Sequence, residues 1–582
     1  MALLLGAMIA LPLVEILLRQ FSVGIPSAPD FLRHLTLLVG MAGGALAARE
    51  GRLLALAGPA HFLPARGAAA ARILGAGTGA AVAALLAQAG LQFVLQERAT
   101  GGTLAYGIPR WTLQLALPVG FGVIALRQVW HAGATLRSRL AALALAGVLG
   151  VAARLAPPVL SLGGLLLATF LGAPIFALLG GAALVLISGS GAPLAAIAID
   201  HYSLVTNPAL PAIPLFTLAG YFMAEGGASR RLIRLFQALS GWVRGGPAIA
   251  TALICAFFTA FTGGSGVTVL ALGALLLPVL VGAHFSERHA LGLITGAGSL
   301  GILLPPCLPV ILYAIIAKVD INTMFVAGLV PGVLLILLTA AWGMWVGRRA
   351  PRIEARPDRA EILAALWAAK WELALPVVAL ATLFSGWATP VEAAAVTAGF
   401  AFLIEVVIHR DLHWRRDCPR VMAEAGLLIG GILLILGVAL GLTNHLIHEG
   451  VPEALAEWSL THVQSRGLFL LGLNVVLILV GSVVEIFAAI VVVVPLLVPL
   501  GLQLGVDPVH LGIIFLATME LGFLAPPFGL NLLLAASRLR RPLGEVARAT
   551  LPLLAVMFLG VLLITYCPPL TTWLPGVLLS AP

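Results

Sequence analysis

Charge is scarce in this sequence. Of its 582 residues 10% are Asp, Glu, Lys or Arg and 61% are hydrophobic, whereas an ordinary soluble domain carries about 25% charged residues. So few charges cannot cover so large an apolar area, and a soluble fold is excluded. Cysteine is rare as well. Cys255, Cys307, Cys418 and Cys567 are far apart, with no CxxC pair and no neighbouring His at metal-ligand spacing, so neither a disulfide framework nor a zinc site has support. The chain has no HExxH motif and no paired nucleophile and base inside an apolar run, which disfavours an intramembrane enzyme. It has no GxxxxGK[ST] loop, which disfavours an ATP-driven pump. The opening LLLGAMIALPLVEILL lacks a basic leader and a clear small-x-small cleavage site, so it reads as a first membrane helix and not as a signal peptide.

What is present is a succession of apolar runs. Crossing the hydrocarbon takes roughly 20 mostly apolar residues per helix, and such segments recur from residue 2 to residue 574. In the first 160 residues they fall near 2–18, 35–48, 73–95, 112–129 and 140–156. The net charge of +9 comes from short basic clusters between these runs; that is a topological signal and excludes a nucleic-acid-binding face. Arg49, Arg52, Arg66 and Arg72, then Arg127, Arg137 and Arg139, mark cytoplasmic loops, whereas residues 96–111 hold Arg98 and Arg110 against Glu97 and are expected outside. The same rule assigns Arg230, Arg231, Arg234 and Arg244, then Arg348, Arg349, Arg352, Arg356 and Arg359, then Arg410, Arg415, Arg416 and Arg420, and finally Arg538, Arg540 and Arg541 to the cytoplasm. Residues 447–466, with Glu449, Glu453 and Glu457 against Arg466, suit an external loop. The stretch RRLIRLFQALSGWVRGG has helical apolar spacing, consistent with either a surface helix or an ordinary basic loop. His61, His201, His284, His289, His445 and His510 lie near predicted helix ends and are expected to be interfacial.

Two distant stretches share one pattern. FTAFTGGSGVTVLALGALLLPVL is followed, after a short connection, by LGLITGAGSLGILLPPCLPVILYAIIA; LVGSVVEIFAAIVVVVPLLVPL is followed similarly by LGIIFLATMELGFLAPPFGLNLLLAA. Each has a small-residue break, a proline at Pro278 or Pro499, and a helix interrupted at Pro305-Pro306 or Pro526-Pro527. By the charge pattern the first break, at Gly263-Gly264-Ser265-Gly266, is entered from inside and the second, at Gly481-Ser482, from outside. Inverted repeats with broken helices are a mark of secondary transporters. A Pro-Pro pair removes two backbone donors and disfavours helix before it. The freed carbonyls need partners at membrane depth, and two facing breaks offer oxygen ligands for Na+ as well as helix N-termini for a carboxylate. Ser265, Thr268, Ser299, Ser482 and Asn531 add side-chain oxygens, while Glu485 and Glu520 are carboxylates at membrane depth. The competing reading is that the hydroxyls bond their own helices and that the two glutamates brace hairpin amides.

At PAIPLFTLAGYFM, GGSGVTV, ILLPPCLPVILY, ATPVEAAAV, DPVHLGII and LGFLAPPFGLNLLLAA the sequence resembles the membrane permease of tripartite ATP-independent periplasmic (TRAP) transporters, with small and large subunits fused in one chain. The first tip departs from the longer SGSxxA-type stretch of many relatives. The resemblance implies an all-α polytopic membrane protein, an inverted-repeat elevator-type transporter with two re-entrant hairpins and discontinuous helices. It implies a small-subunit-like four-helix domain over residues 1–138, a connecting helix over 139–160 and a large-subunit-like transport domain over 161–582, with repeats at about 211–346 and 420–575. It further implies a multi-pass protein of the bacterial inner membrane and no enzyme. Sodium is the implied coupling ion, with no other cofactor, and a small carboxylate is delivered by a periplasmic substrate-binding protein. Membrane lipids are the remaining partner expected. By the match of motifs the sodium and substrate region comprises Gly263, Gly264, Ser265, Gly266 and Thr268; Ser299, Gly301, Pro305 and Pro306; Gly481, Ser482 and Glu485; and Glu520, Gly522, Pro526, Pro527 and Asn531. A sodium or proton symporter that works without a binding protein is the alternative.

Overall fold

In hydrocarbon each peptide group must pair within its own segment, which a helix achieves without leaving an edge. The computed structural model describes residues 1–55, 64–348, 358–386, 388–462, 465–526 and 528–579; these are overwhelmingly helical, with no β-strand among them. His61, Arg349, Arg352, Arg356 and Pro527 lie outside the described residues. The helices are α1 (Ala2–Arg19), α2 (Ala28–Glu50), α3 (Ala65–Thr100), α4 (Arg110–Gln114), α5 (Ala116–His131), α6 (Leu136–Leu155), α7 (Pro158–Phe170), α8 (Ile175–Ser190), α9 (Ala195–Val205), α10 (Ala212–Glu225), α11 (Ala228–Ser240), α12 (Gly246–Thr262), α13 (Ser265–Gly282) and α14 (Glu287–Ala297). They continue with α15 (Leu308–Ala317), α16 (Ile321–Gly347), α17 (Arg359–Ala368), α18 (Lys370–Phe384), α19 (Pro390–Phe402), α20 (Asp417–His448), α21 (Val451–His462), α22 (Arg466–Gly481), α23 (Ile486–Gln503), α24 (Pro508–Gly522), α25 (Leu530–Leu539), α26 (Leu543–Tyr566) and α27 (Pro569–Leu578). Among the described residues 11 helices are long and apolar enough to cross a membrane, or 12 if α17 and α18, bent by 55° at their junction, form one span.

The chain divides into two compact units: residues 1–214, 422–454 and 491–496, and residues 215–421, 455–490 and 497–582. In the first, α2 and α20 cross where both are reduced to glycine. A Cβ on Gly43 would run into the Gly426 carbonyl, and one on Gly430 into the Gly43 backbone. Membrane helices rely on such small residues because lipid supplies no hydrophobic drive to pair them. Arg52 and Glu424 clip the same two helices at 2.7 Å. His201, expected at an interface, is instead buried. Gly437 leaves room for its ring, which Phe121 meets edge-on at 5.5 Å.

In the second unit the arginine-rich α11 is more than a surface helix. Arg231 reaches Glu372 and Glu405, both fully buried, and Asp411 at 2.5 Å. Apolar Ala228, Leu232 and Leu235 of the same helix are buried beside it. His510, also expected to be interfacial, is buried because Thr571 and the Thr565 carbonyl accommodate its two ring nitrogens at 2.8 and 3.3 Å. The acidic stretch 447–466 contains α21, so it is largely helical and not a plain loop.

Candidate functional site

All four breaks singled out in the sequence fall in the second unit. At the first, α12 ends on Gly263 with φ +66°, a left-handed conformation that favours glycine. Its N–H is capped by the Thr259 carbonyl at 2.9 Å. Gly264 is extended and feeds straight into α13. There is no space for a side chain here: a Cβ on Gly263 would lie 2.5 Å from Leu308 of α15, and one on Gly266 would strike Leu534 of α25. Ser265 and Thr268 are buried on the first turn of α13.

The second break separates α14 from α15. Through residues 299–307 the chain makes short turns, Ile302 to Ser299 at 3.0 Å, Leu304 to Gly301 at 3.1 Å and Cys307 to Leu304 at 3.0 Å, and the Pro305-Pro306 peptide is cis. Gly301 lets this irregular stretch lie on α12, where a Cβ would meet the Ala256 carbonyl and the Ala260 nitrogen. Thr259 secures it: its hydroxyl is 2.6 Å from the Gly298 carbonyl and 2.7 Å from the Thr268 hydroxyl. Thr259 escaped the sequence reading. The signal was a threonine one helical turn before Gly263, where a helix end leaves carbonyls to be satisfied.

The second repeat is built differently. Between α22 and α23 the Ser482 hydroxyl donates to the Leu479 carbonyl at 2.7 Å, and the Glu485 carboxylate accepts from the Phe487 N–H at 3.1 Å, capping α23. Beyond it, Gly481 and Gly522 pack backbone to backbone, a Cβ on Gly522 falling 2.6 Å from the Gly481 Cα. α24 then ends, and the Asn531 N–H reaches back to the Phe523 carbonyl at 3.2 Å. Pro526 is exposed there, whereas Pro305 and Pro306 are buried.

The two repeats meet at the end of α14. Asn531 of α25 is fully buried and donates its amide to the Thr295 carbonyl at 3.3 Å, while its Oδ1 has no partner. One turn further along, Ser299 stands beside Glu520, yet its hydroxyl donates to the Gly296 carbonyl at 3.1 Å. Glu520 is fully buried, and among the described residues no cation pairs with it. The other buried acids are compensated: Glu372 and Glu405 by Arg231, Glu392 by the capping box at Thr389. Thr518 takes no part in this; its hydroxyl joins a buried network with Asn474 at 2.8 Å, and Asn474 is 3.1 Å from Thr565. Among the described residues no group of three or more His, Cys, Asp or Glu is placed to hold a metal ion. What the geometry shows here is a fully buried Asn531 amide oxygen without a donor and a fully buried Glu520 carboxylate without a cation partner among the described residues.

Residues 162–570 match the family described as "Tripartite ATP-independent periplasmic transporter, DctM component", and residues 8–138 match the "DctQ component". The chain belongs to the TRAP transporter permeases. Both components are present in this one TRAP chain, as in the isethionate TRAP transporter permease protein DctMQ of Oleidesulfovibrio alaskensis, which is 33% identical over 484 residues, 81% of this chain and 76% of that protein. The C4-dicarboxylate TRAP transporter large permease protein DctM of Pseudomonas aeruginosa is 36% identical over 379 residues, 65% of this chain and 87% of its own length. The corresponding protein of Rhodobacter capsulatus is 34% identical over 433 residues, covering 71% and 98%. These relatives are named as permeases and not as enzymes, and the TRAP permease is a multi-pass inner-membrane protein.

Proposed function

We propose that this TRAP permease imports a small organic acid as its carboxylate, coupled to sodium, and that a soluble periplasmic binding protein delivers the substrate. One observation carries the reading: Glu520 is a fully buried carboxylate with the Ser299 hydroxyl beside it but no cation partner among the described residues, and the Asn531 Oδ1 is a fully buried acceptor without a donor, both at the interrupted helices of the repeats. An uncompensated buried carboxylate is costly, and a cation would relieve it. Carbonyls freed at the breaks would complete an oxygen shell for Na+, which here is cargo travelling with the substrate. For the anion, no side chain caps the N-termini of α13 and α15, which leaves them to a carboxylate, whereas that of α23 is already capped by Glu485 and the first turn of α25 gives its Asn531 N–H to the Phe523 carbonyl. The C4-dicarboxylate named for one relative agrees with a carboxylate, whereas isethionate, a sulfonate named for another, agrees only with the coarser class of small organic anions. An elevator motion, in which the site moves as one body, is favoured by the contacts that join the repeats, Asn531 to Thr295 and Gly266 against Leu534.

The test is uptake into proteoliposomes of labelled C4-dicarboxylates and isethionate, with the binding protein supplied outside. Uptake should require both that protein and an inward sodium gradient. Full uptake by the permease alone, or with potassium replacing sodium, would overturn the proposal in favour of a self-sufficient symporter or a proton-driven one.

A further inference from the structure

Arg231 brings one positive charge into a site of three carboxylates, all within the second unit. Its guanidinium donates to Glu372, to Asp411 at 2.5 Å and to both Glu405 oxygens at 3.2 Å. Glu372 and Glu405 are fully buried. The backbone between α10 and α11 admits these acids at close range: the Gly227 N–H lies 3.1 Å from Glu405 Oε2 and from Asp411 Oδ2, and a Cβ on Gly226 or Gly227 would strike one carboxylate or the other. One guanidinium offsets one charge of three, and a buried carboxylate short of a cation is costly. The deficit is plainest at Glu372. Arg231 takes its Oε1, whereas its Oε2 has no hydrogen-bond partner among the described residues.

His409 is placed to supply a second cation. Its Nε2 is buried, stands 3.4 Å from Glu372 Oε1 and has no hydrogen-bond partner among the described residues. The backbone fixes that position: the segment Leu403–Ile408, which carries Glu405, is π-helical, and the His409 N–H bonds the Ile404 carbonyl five residues back at 2.9 Å. Histidine is the side chain that exchanges its charge around neutral pH. A proton on Nε2 turns this approach into an ion pair. The other cations nearby are engaged elsewhere or face outward: Arg234 of α11 pairs with Glu361 of α17 at 2.7 Å, Lys370 of α18 lies 3.2 Å over the Trp367 ring, Arg420 of α20 pairs with Glu225 at 2.9 Å, and Arg230 and Arg410 are exposed. We propose that His409 and Glu372 form a proton-binding site through which cytoplasmic pH controls the rate of transport. The charge pattern puts this face of the molecule in the cytoplasm. From here α11 leads through residues 241–245 into α12, which ends at the Gly263 break. A proton held more tightly in the folded protein stabilises it at low pH, and that contribution is lost as pH rises. Without it Glu372 keeps only its share of Arg231, α11 is held less firmly, and transport slows.

The experiment follows thermal unfolding of the full-length protein in detergent from about pH 6 to about pH 8.5, spanning the range in which histidine changes charge, for wild type, His409→Gln and His409→Lys. Glutamine cannot carry the charge, and lysine carries it throughout. The unfolding temperature of wild type should exceed that of His409→Gln at the acid end and lose this advantage as pH rises, whereas His409→Lys should keep its advantage. Other histidines cancel in the comparison. With Glu372→Gln in both proteins, the pH dependence of the difference between His409 and its glutamine variant should disappear. If Glu372→Gln fails to fold, the lysine variant still decides the matter. The unfolding arm does not depend on which solute or ion is carried, so its failure is separate from failure of the proposed coupling. The second readout is uptake into proteoliposomes with the cytoplasmic side facing the lumen, the outer solution held constant and the lumen buffered at about pH 6 or about pH 8. Wild-type uptake should be slower at the higher lumenal pH, and that of His409→Lys unchanged. A difference between wild type and His409→Gln that stays the same at every pH, or wild-type uptake equal at the two lumenal pH values, would overturn the proposal.

Discussion

Asn531 donates its side-chain amide to the main-chain carbonyl of Thr295, 236 positions away in sequence. Thr295 lies in the last turn of α14, where a helix leaves carbonyls without intrahelical partners. One hydrogen bond thus binds the broken helix of one repeat to that of the other. Asn531→Leu should leave the Thr295 carbonyl unsatisfied in the interior and cost about 1–3 kcal/mol of stability, measured by denaturant or thermal unfolding in detergent. A variant as stable as wild type would mean that the two helices are held together elsewhere.

Glu520→Gln keeps the shape of the side chain and removes its charge. If the carboxylate holds the coupling ion, loss of this charged ligand should weaken apparent sodium affinity roughly tenfold to hundredfold, equivalent to about 1.5–3 kcal/mol. The readout is the rise of unfolding temperature with NaCl, against choline chloride at equal ionic strength. The same sodium midpoint in wild type and variant would remove Glu520 from the site.

Arg231→Met should be severe. It leaves Glu372 and Glu405 buried without their cation, a change that typically costs about 3–5 kcal/mol. Asp411 adds a pH dependence. Burial pushes its carboxyl up, but the Arg231 hydrogen bond and charge outweigh this and hold it below the usual aspartate range. A depressed folded pKa contributes stability above the unfolded value that is lost as pH falls through the folded one. Asp411→Asn should therefore flatten the stability curve below about pH 4 and leave it unchanged near neutrality apart from a constant offset. Parallel acid limbs in the two proteins would disprove this role.

The charge pattern predicts that residues 538–541 are cytoplasmic and residues 447–466 external. Cysteines placed at Arg538 and Glu453 should react with an impermeant maleimide from opposite sides of oriented vesicles. Exposed Cys567 must first become serine, since it would react as well. Labelling of both positions from one side would refute the orientation.

Much of the fold was legible because hydrocarbon restricts the choices. Apolar runs of spanning length had to be helices, and Gly-Gly and Pro-Pro had to interrupt them: α12 stops at Gly263, and α15 and α25 resume just after the proline pairs. Hydroxyl roles were less legible. Ser299 and Ser482 donate to carbonyls three residues back in their own segments, as the plainer reading of such residues expected, while Thr259 reaches across to Gly298. Residue type is the same in each case; the partner depends on which backbone lies opposite. His201 and His510 were misplaced because each is accommodated by residues remote in sequence, Gly437 for one and Thr565 with Thr571 for the other.

Composition alone determined that this chain lies in a membrane, since 61% hydrophobic residues cannot be buried in water. Repeated breaks determined where regular helix had to fail, since proline and paired glycine act through local backbone geometry. Tertiary structure decided what those failures bring together. Glu485 and Glu520 are both carboxylates beside a break in the second repeat, yet one finds the Phe487 N–H and caps α23, whereas the other, near the end of α24, enters the interior beside the Ser299 hydroxyl. Local sequence places a carboxylate at membrane depth; only the tertiary surroundings of α23 and α24 decide whether it meets a backbone donor.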